Sequence, residues 1–350
     1  MRVMQIIGSK KAGGAETFYV RLVNALREHI KILPVVRTDS WLDERLTELD
    51  IPHKTASFGG IFDLKTKAKL ERYAASFKPD VIQSWMNRSS KFMPTNSEAV
   101  LVARMGGYYN LKYYRKMDYI VGNTQDICTY VRRKGWPEER AIYLPNFADE
   151  PVSLYADKHD ELSIEIRAQF KIPAAAFVLM LAGRLHDNKG IDTAISALKS
   201  VDAHLIIVGD GPLENELKAQ VVKDNLVGRV HFSGWASQIS PFCAASDAWV
   251  VSSRHEPLGN VVLDAWMHRL PIVATMSDGP RSLIDDEEDG LLVPIDNVEK
   301  MAEGMKKLKN SPTLRVKLAE NGYEKGVKEY GRDVVIADYL DFYEHIVKNK

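Results

Sequence analysis

The sequence predicts an α/β protein built from two doubly wound parallel sheets, each the core of its own domain. Three observations carry this. Short apolar runs alternate with helical patterns through both halves of the chain. The alternation lapses once, in the polar stretch 148–161, which reads as a linker. The 350 residues exceed the roughly 100 to 200 of one ordinary domain. The expected domains are 1–150 and 151–331, leaving 332–350 as a terminal segment.

Val3 to Ile7 reads as a first buried strand, Gly13-Gly14 as the turn after it, and Ala15 to about Glu28 as a helix with Phe18, Leu22 and Leu26 on one stripe. Strands follow at Ile32 to Val36, Val100 to Arg104 and Tyr119 to Gly122. The second half begins again with strands at Phe177 to Ala182, Ala203 to Val208, Val230 to Ser233, Ala248 to Val251 and Ile272 to Thr275, and a helix over Leu213 to Lys223 lies among them. From Arg332 to Val347, apolar residues at helical spacing (Val335, Ile336, Tyr339, Leu340, Tyr343, Ile346) predict a helix that needs a surface to pack on. No tandem repeat or sustained heptad pattern is present, which excludes a solenoid or coiled coil.

Composition narrows the class. Hydrophobic residues make up 45% and charged residues 27%, a globular balance, and no apolar run reaches the roughly 18 residues of a membrane span. The opening Met-Arg-Val-Met-Gln-Ile-Ile-Gly is too short for a signal peptide, and two cysteines, Cys128 and Cys243, build neither a disulfide framework nor a thiolate zinc cluster. A cytoplasmic protein is expected. Residues 1–150 carry 24 Lys+Arg against 17 Asp+Glu and the remainder 23 against 30, so the halves are +7 and −7. A basic first half suits an anionic surface or acidic acceptor.

Three strand-to-helix junctions in the second half carry the chemistry. Ala182-Gly183-Arg184-Leu185 with Lys189-Gly190 places two cations where a helix begins, an arrangement suited to a leaving diphosphate that gains charge in the transition state. A solvated basic loop explains the same residues. Gly209-Asp210-Gly211-Pro212 lets backbone approach a ligand or simply turns the chain. In Ser252-Ser253-Arg254-His255-Glu256-Pro257-Leu258-Gly259-Asn260-Val261-Val262-Leu263-Asp264, two acids frame a loop and helix start. Glu256 and Asp264 can accept from sugar and ribose hydroxyls, while amides of Gly259, Asn260 and Val261 suit phosphate. Exposed charges and caps are the alternative. No Asp-x-Asp, His-Glu-x-x-His, Walker-type loop or Ser nucleophile elbow occurs, so no metal or cofactor is assigned.

The order and spacing of these motifs, continued by Pro271-Ile-Val-Ala-Thr and Asp289-Gly-Leu-Leu-Val-Pro294, resemble the retaining glycosyltransferases of family 4. The resemblance covers residues 177 to 347 and, in the first half, little beyond the first strand and Gly13-Gly14. It implies the GT-B fold, two facing Rossmann-like domains with a C-terminal helix that crosses back to the first domain, so that 332–350 packs on the acceptor-side domain 1–150. It also implies metal-independent transfer, with retention, from a nucleotide sugar, UDP by family habit, in cell-envelope polysaccharide or lipopolysaccharide synthesis. Arg184 and Lys189 would hold the diphosphate, Glu256 the donor sugar and Asp264 the ribose. Gly209, Gly211 and Gly234, the last in the loop by the base, would line the donor site, and Gly13 and Gly14 would approach from the opposite domain.

Two departures stand out. Asp264 replaces the usual Glu, one methylene longer, and Arg269 stands where Gly is usual, which predicts a positive φ there. Many members also have His in the segment equivalent to Ile82-Gln83-Ser84-Trp85, and this chain has none, so no general base is assigned.

In the first half, Tyr108-Tyr109-Asn110-Leu111-Lys112-Tyr113-Tyr114-Arg115-Lys116 and Arg132-Arg133-Lys134-Gly135-Trp136 interleave aromatics with cations. Arg104, Tyr108, Lys112, Arg115 and Lys116 are candidates for a glycan or lipid-linked acceptor or for reversible contact with the inner membrane surface. A solvated helix with tyrosines packed inward is the alternative, and nucleic acid is not expected. Two rival activities share the architecture: a sugar-nucleotide epimerase and a non-catalytic nucleotide-sugar binder.

Overall fold

The computed structural model describes residues 1–60, 63–149 and 157–350. The chain divides into unit 1, Met1–Phe147 with Arg332–Lys350, and unit 2, Ala148–Gly331. Part of the expected linker, 150–156, lies outside the described residues; its last residues belong to the helix His159–Gln169.

Unit 1 is a seven-stranded sheet in the order β3-β2-β1-β4-β5-β6-β7. The strands are β1 (Arg2–Ile7), β2 (Lys31–Arg37), β3 (Lys54–Ala56), β4 (Val81–Trp85), β5 (Val100–Met105), β6 (Tyr119–Gly122) and β7 (Ala141–Tyr143). Every pairing is parallel. Parallel strands need crossovers, and the helices that supply most of them cover both faces, so the central strands β1, β4 and β5 are buried on both sides. In β1, Val3 and Ile7 join the core formed with the helix Gly14–Leu26, while Met4 and Ile6 join the opposite layer with Leu70 and Ile127. The final helix, Arg332–Lys348, buries Val335, Ile336, Tyr339, Phe342, Tyr343 and Ile346 in the first of these layers.

That layer contains a buried polar network. Gln5 donates to the Tyr343 hydroxyl at 2.8 Å, which donates to Gln83 at 2.9 Å, and the Trp85 indole donates to Gln5 at 2.7 Å. Every buried donor that finds an acceptor avoids a desolvation cost of about 1–3 kcal/mol, so this network fixes the C-terminal helix in one register.

Unit 2 is a six-stranded sheet, β10-β9-β8-β11-β12-β13. Its strands are β8 (Val178–Ala182), β9 (His204–Val208), β10 (Val230–Gly234), β11 (Ala248–Val251), β12 (Ile272–Thr275) and β13 (Leu291–Val293), again all parallel. Leu179 and Leu181 face the layer of helices Ile191–Leu198 and Val298–Asn310, and Val178 and Met180 face that of Asn260–Met267. Arg269 has φ 52, and its guanidinium lies 3.5 Å from the centre of the Tyr323 ring, a contact that offsets the strain of a side chain in the left-handed region.

His204 and His231, neighbours across β9 and β10, stack with ring centres 5.4 Å apart and an Nδ1 to Nε2 distance of 3.1 Å. Burial, then the charge of His204, brings His231 down to about 4. Burial and Arg229 lower His204, against the opposing charge of Asp202. The native state therefore binds fewer protons than the unfolded chain between pH 4 and 6.5. The pair's contribution is complete above pH 6.5 and is lost as pH falls toward 4. The melting temperature should drop through that window, and His231→Gln should flatten the drop; an unchanged profile in the variant contradicts this assignment.

Candidate active site

In a parallel sheet the loops leaving the strands gather at one edge, and ligands bind where the strand order reverses. In unit 2 that point lies between β8 and β11. The loop after β8 carries Arg184 and Lys189, and the loop after β11 carries Glu256. The Lys189 ammonium and the Glu256 carboxylate form a short ion pair across the reversal. Ser252 and Arg254 fasten the same two loops, the hydroxyl of Ser252 to the Lys189 carbonyl at 2.9 Å and the amide of Arg254 to the Asn188 carbonyl at 2.8 Å. Lys189 also lies against Gly183, its Cε 3.4 Å from where a Cβ would stand. Arg184 is exposed and has no hydrogen bond or ion pair among the described residues, so its guanidinium is available at this edge.

Two helices begin beside the pair. Ile191–Leu198 starts from Gly190 at φ 56, where a Cβ would collide with the Ser252 carbonyl. Asn260–Met267 starts from Gly259 at φ 69. Neither glycine supplies a capping side chain, which leaves positive helix ends directed at the crevice. Glu256 is 8% exposed, and its carbonyl accepts from Gly279 at 2.6 Å. Asp264 lies one turn inside the second helix, half-buried, near Cys243, whose thiol is pushed well above its usual range by burial and then by the Asp264 charge. Gly209 bonds to the Gly234 carbonyl at 2.8 Å, and Gly211 abuts the Leu185 backbone. The packing of the loops after β8, β9 and β10 thus accounts for these glycines independently of any ligand.

Arg254, in the same motif, is already engaged: it forks onto Asp192 at 2.9 and 2.6 Å and meets Asp296 at 2.7 Å. Burial raises the Asp192 carboxyl, but the Arg254 fork outweighs it and holds the group below its ordinary value. Trp235, after β10, is 58% exposed. Among the described residues no group of three or more His, Cys, Asp or Glu side chains is arranged to hold a metal ion.

Unit 1 separates the remaining candidates. Arg104 does not reach an acceptor site. It is 2% exposed, donates to the Tyr339 hydroxyl at 2.9 Å and to Asn146, and lies over the rings of Trp85 and Phe18 at 4.5 and 4.7 Å. Its position in β5, facing the C-terminal helix, makes it part of the core. Gln83, 0% exposed, is likewise occupied by Gln5 and Tyr343.

Tyr108, Lys112 and Arg115, with Tyr130, Lys134 and Trp136, line a groove of about 540 Å³, and Lys116 is exposed in the same segment. The segment is not a full helix: only Leu111–Tyr113 forms a short 3-10 turn, while Tyr114 is buried with its hydroxyl on Asn87 at 2.8 Å. Gly13 and Gly14 open the helix after β1, but the Glu16 carboxylate leans over Gly13, its Oε2 2.7 Å from the place of a Cβ. A diphosphate at that helix start would meet a negative charge. Sequence reasoning passed over Glu16, although an acid three residues past Gly13, in the first turn of a helix, suits the positive helix end.

Residues 163–325 match the family described as glycosyl transferases group 1. The chain is 34% identical over 334 residues to the lipopolysaccharide core biosynthesis glycosyltransferase LpsE of Rhizobium meliloti, covering 94% of this chain and 95% of that one. It is 32% identical to LpsD of the same organism over the full length of both. Among solved structures, Anabaena HepE in complex with UDP and glucose superposes with a TM-score of 0.85 at 20% identity, over 99% of this chain and 100% of that one. The fold is that of GT-B glycosyltransferases.

Arg104→Met should remove the partner of the buried Tyr339 hydroxyl, at about 1–3 kcal/mol for that group. Chemical denaturation should record the loss; full stability in the variant would return Arg104 to the surface of the problem.

Proposed function

The chain belongs to the glycosyl transferases group 1 family, and from that premise we propose that it moves a sugar from a UDP-linked donor to a glycan or lipid-linked acceptor in lipopolysaccharide synthesis. The observation that carries this reading is the Lys189–Glu256 pair at the strand-order reversal of unit 2, beside the unpartnered Arg184. The names of LpsE and LpsD support the pathway, and the UDP and glucose of the HepE complex support the donor.

When the bond between the sugar's anomeric carbon and the diphosphate oxygen breaks, negative charge accumulates on the leaving group. Arg184, Lys189 and the helix start at Gly259-Asn260-Val261 meet that charge where it develops, which lowers the barrier rather than merely tightening the complex. Before the donor arrives, Glu256 holds Lys189 in place. A diphosphate competes for the ammonium and frees the Glu256 carboxylate to accept from hydroxyls of the transferred sugar. Asp264, one turn further on, accepts from the ribose; its short side chain suits a contact bridged by water. The diphosphate is neutralised by protein cations and amides, with no metal ion or cofactor given a part. The transfer retains configuration, the leaving phosphate itself taking the acceptor proton on the same face of the sugar, so no side chain is assigned as base.

Lys112, Arg115, Lys116 and Lys134, with Tyr108 and Trp136, suit reversible docking on an anionic inner-membrane surface that displays a lipid-linked acceptor. No helix among the described residues is long and apolar enough to cross a membrane.

Arg184→Ala and Lys189→Ala should each lower turnover by on the order of 10² or more, with the fold intact, because the lost stabilisation belongs to the transition state. Steady-state transfer and donor hydrolysis measure this. Near wild-type rates in both variants would remove the two cations from the mechanism.

A further inference from the structure

The helix Asn260–Met267, which carries Asp264, is closed by its own backbone. Arg269 donates to the Trp266 carbonyl at 2.9 Å and Leu270 to that of Ala265 at 3.0 Å, with Arg269 left-handed at φ 52, the pattern of a Schellman turn. The Asp264 carbonyl has its regular helical partner, the His268 amide at 3.2 Å. The carbonyls of Asp264, Ala265 and Trp266 are therefore satisfied without any side chain.

His268 nevertheless adds one. Its Nδ1 lies 2.7 Å from the Asp264 carbonyl oxygen, and its Nε2 lies 2.9 Å from the Ser240 hydroxyl. A carbonyl only accepts, so Nδ1 carries the ring proton. Nε2 of the neutral ring is then the acceptor, and Ser240 donates to it. The chain of bonds runs in one direction, from hydroxyl to imidazole to carbonyl, with Ser240 buried and His268 half-buried.

The ring joins two parts of the donor edge. Ser240 begins the short helix Ser240–Ala244, into which the loop leaving β10 at Gly234 runs. Phe242 and Cys243 each donate to the Ile239 carbonyl at 3.0 Å, which locks the end of that loop to the helix. Phe242 and Cys243 pack in the same apolar layer as Val262, Leu263 and Trp266. Burial and then the Asp264 charge raise the Cys243 thiol, so the carboxylate lies close to this short helix. His268 thus ties the element that follows the loop by the base to the residue placed for the ribose. Asp264 needs such a tie more than Glu would. Its carboxylate stands on two side-chain torsions where Glu has three, which leaves less freedom to make up an error of backbone position.

We propose that His268 and Ser240 form a brace that positions Asp264 for the ribose hydroxyls and thereby sets the preference for a ribonucleotide donor. This rests on the donor reading above, since only a nucleotide gives Asp264 a ribose to hold. Both are positioning residues: neither touches the reacting atoms.

The probes are UDP, 2′-deoxy-UDP and pyrophosphate, titrated by calorimetry against the full chain. Wild type should bind UDP about tenfold or more tighter than 2′-deoxy-UDP, the worth of one hydrogen bond to a charged group. His268→Ala and Ser240→Ala should each bring UDP down to the affinity of 2′-deoxy-UDP. The double variant should lose no more than either alone, because all three break the same brace. Pyrophosphate should bind every variant as it binds wild type. His268→Gln should restore the preference, since its amide can donate to the Asp264 carbonyl and accept from Ser240. Ser246→Ala controls for lost stability: it removes a hydroxyl bonded to the Phe242 carbonyl at 2.8 Å, beside the same helix, and should keep the wild-type preference. A preference equal to wild type in both His268→Ala and Ser240→Ala overturns the proposal and leaves the donor reading standing, as does an equal loss in Ser246→Ala. A wild type that binds UDP and 2′-deoxy-UDP alike removes Asp264 from the ribose and the brace with it. A wild type that binds no UDP refutes the donor reading, and the proposal falls with it.

Discussion

Every strand pairing in both sheets is parallel, and the rest of the molecule follows from that constraint. A parallel strand cannot be joined to the next by a tight turn, so each connection crosses a face, in most cases as a helix, and returns at the opposite edge. All the loops that leave strands are then collected at the carboxyl edge, with helix starts beside them. The sequence around Gly183 to Gly190 and Glu256 to Val261 exploits that geometry: charged side chains far apart in the chain meet as the Lys189–Glu256 pair. Arg254, fixed between Asp192 and Asp296, holds the loops that carry them.

The carboxyl edges of the two units differ in charge. In unit 2, Arg184, Lys189 and the helix starts at Gly190 and Gly259, which have no side-chain cap, gather positive charge, with Glu256 and Asp264 nearby. In unit 1 the equivalent helix start is covered by the Glu16 carboxylate. The polar network of Gln5, Gln83, Trp85 and Tyr343 lies beneath the unit 1 edge and ties the C-terminal helix to it.

Much of this was legible in the sequence, for identifiable reasons. β8, β9, β11 and β12 are continuous apolar runs buried on both faces, and the strand-loop-helix junctions after them carry unusual residues at readable spacing. β4 was harder to read because Gln83 and Ser84 interrupt it; both are buried and bonded, which periodicity cannot distinguish from a surface loop. β3, β7 and β13 have only three residues each, too few to show a period. Arg104 misled for a related reason. A cation at the end of a strand reads as a ligand, and only the tertiary structure reveals the hydroxyl, amide and two rings that surround it. Asn123 went unremarked because what distinguishes it is a buried amide without partners, a property no linear pattern encodes.

The central claim is that the carboxyl edge of unit 2 binds the diphosphate of a nucleotide sugar through Arg184 and Lys189. A thermal-shift titration with UDP, GDP and ADP and their sugar conjugates, with chelator present, tests it most directly. A ligand at 100 times its Kd adds about 2.7 kcal/mol to the stability of the state it binds. The account predicts that one nucleotide raises the melting temperature of the wild type and that the double variant Arg184→Ala, Lys189→Ala loses the shift. No shift with any nucleotide, or an equal shift in the double variant, would contradict it.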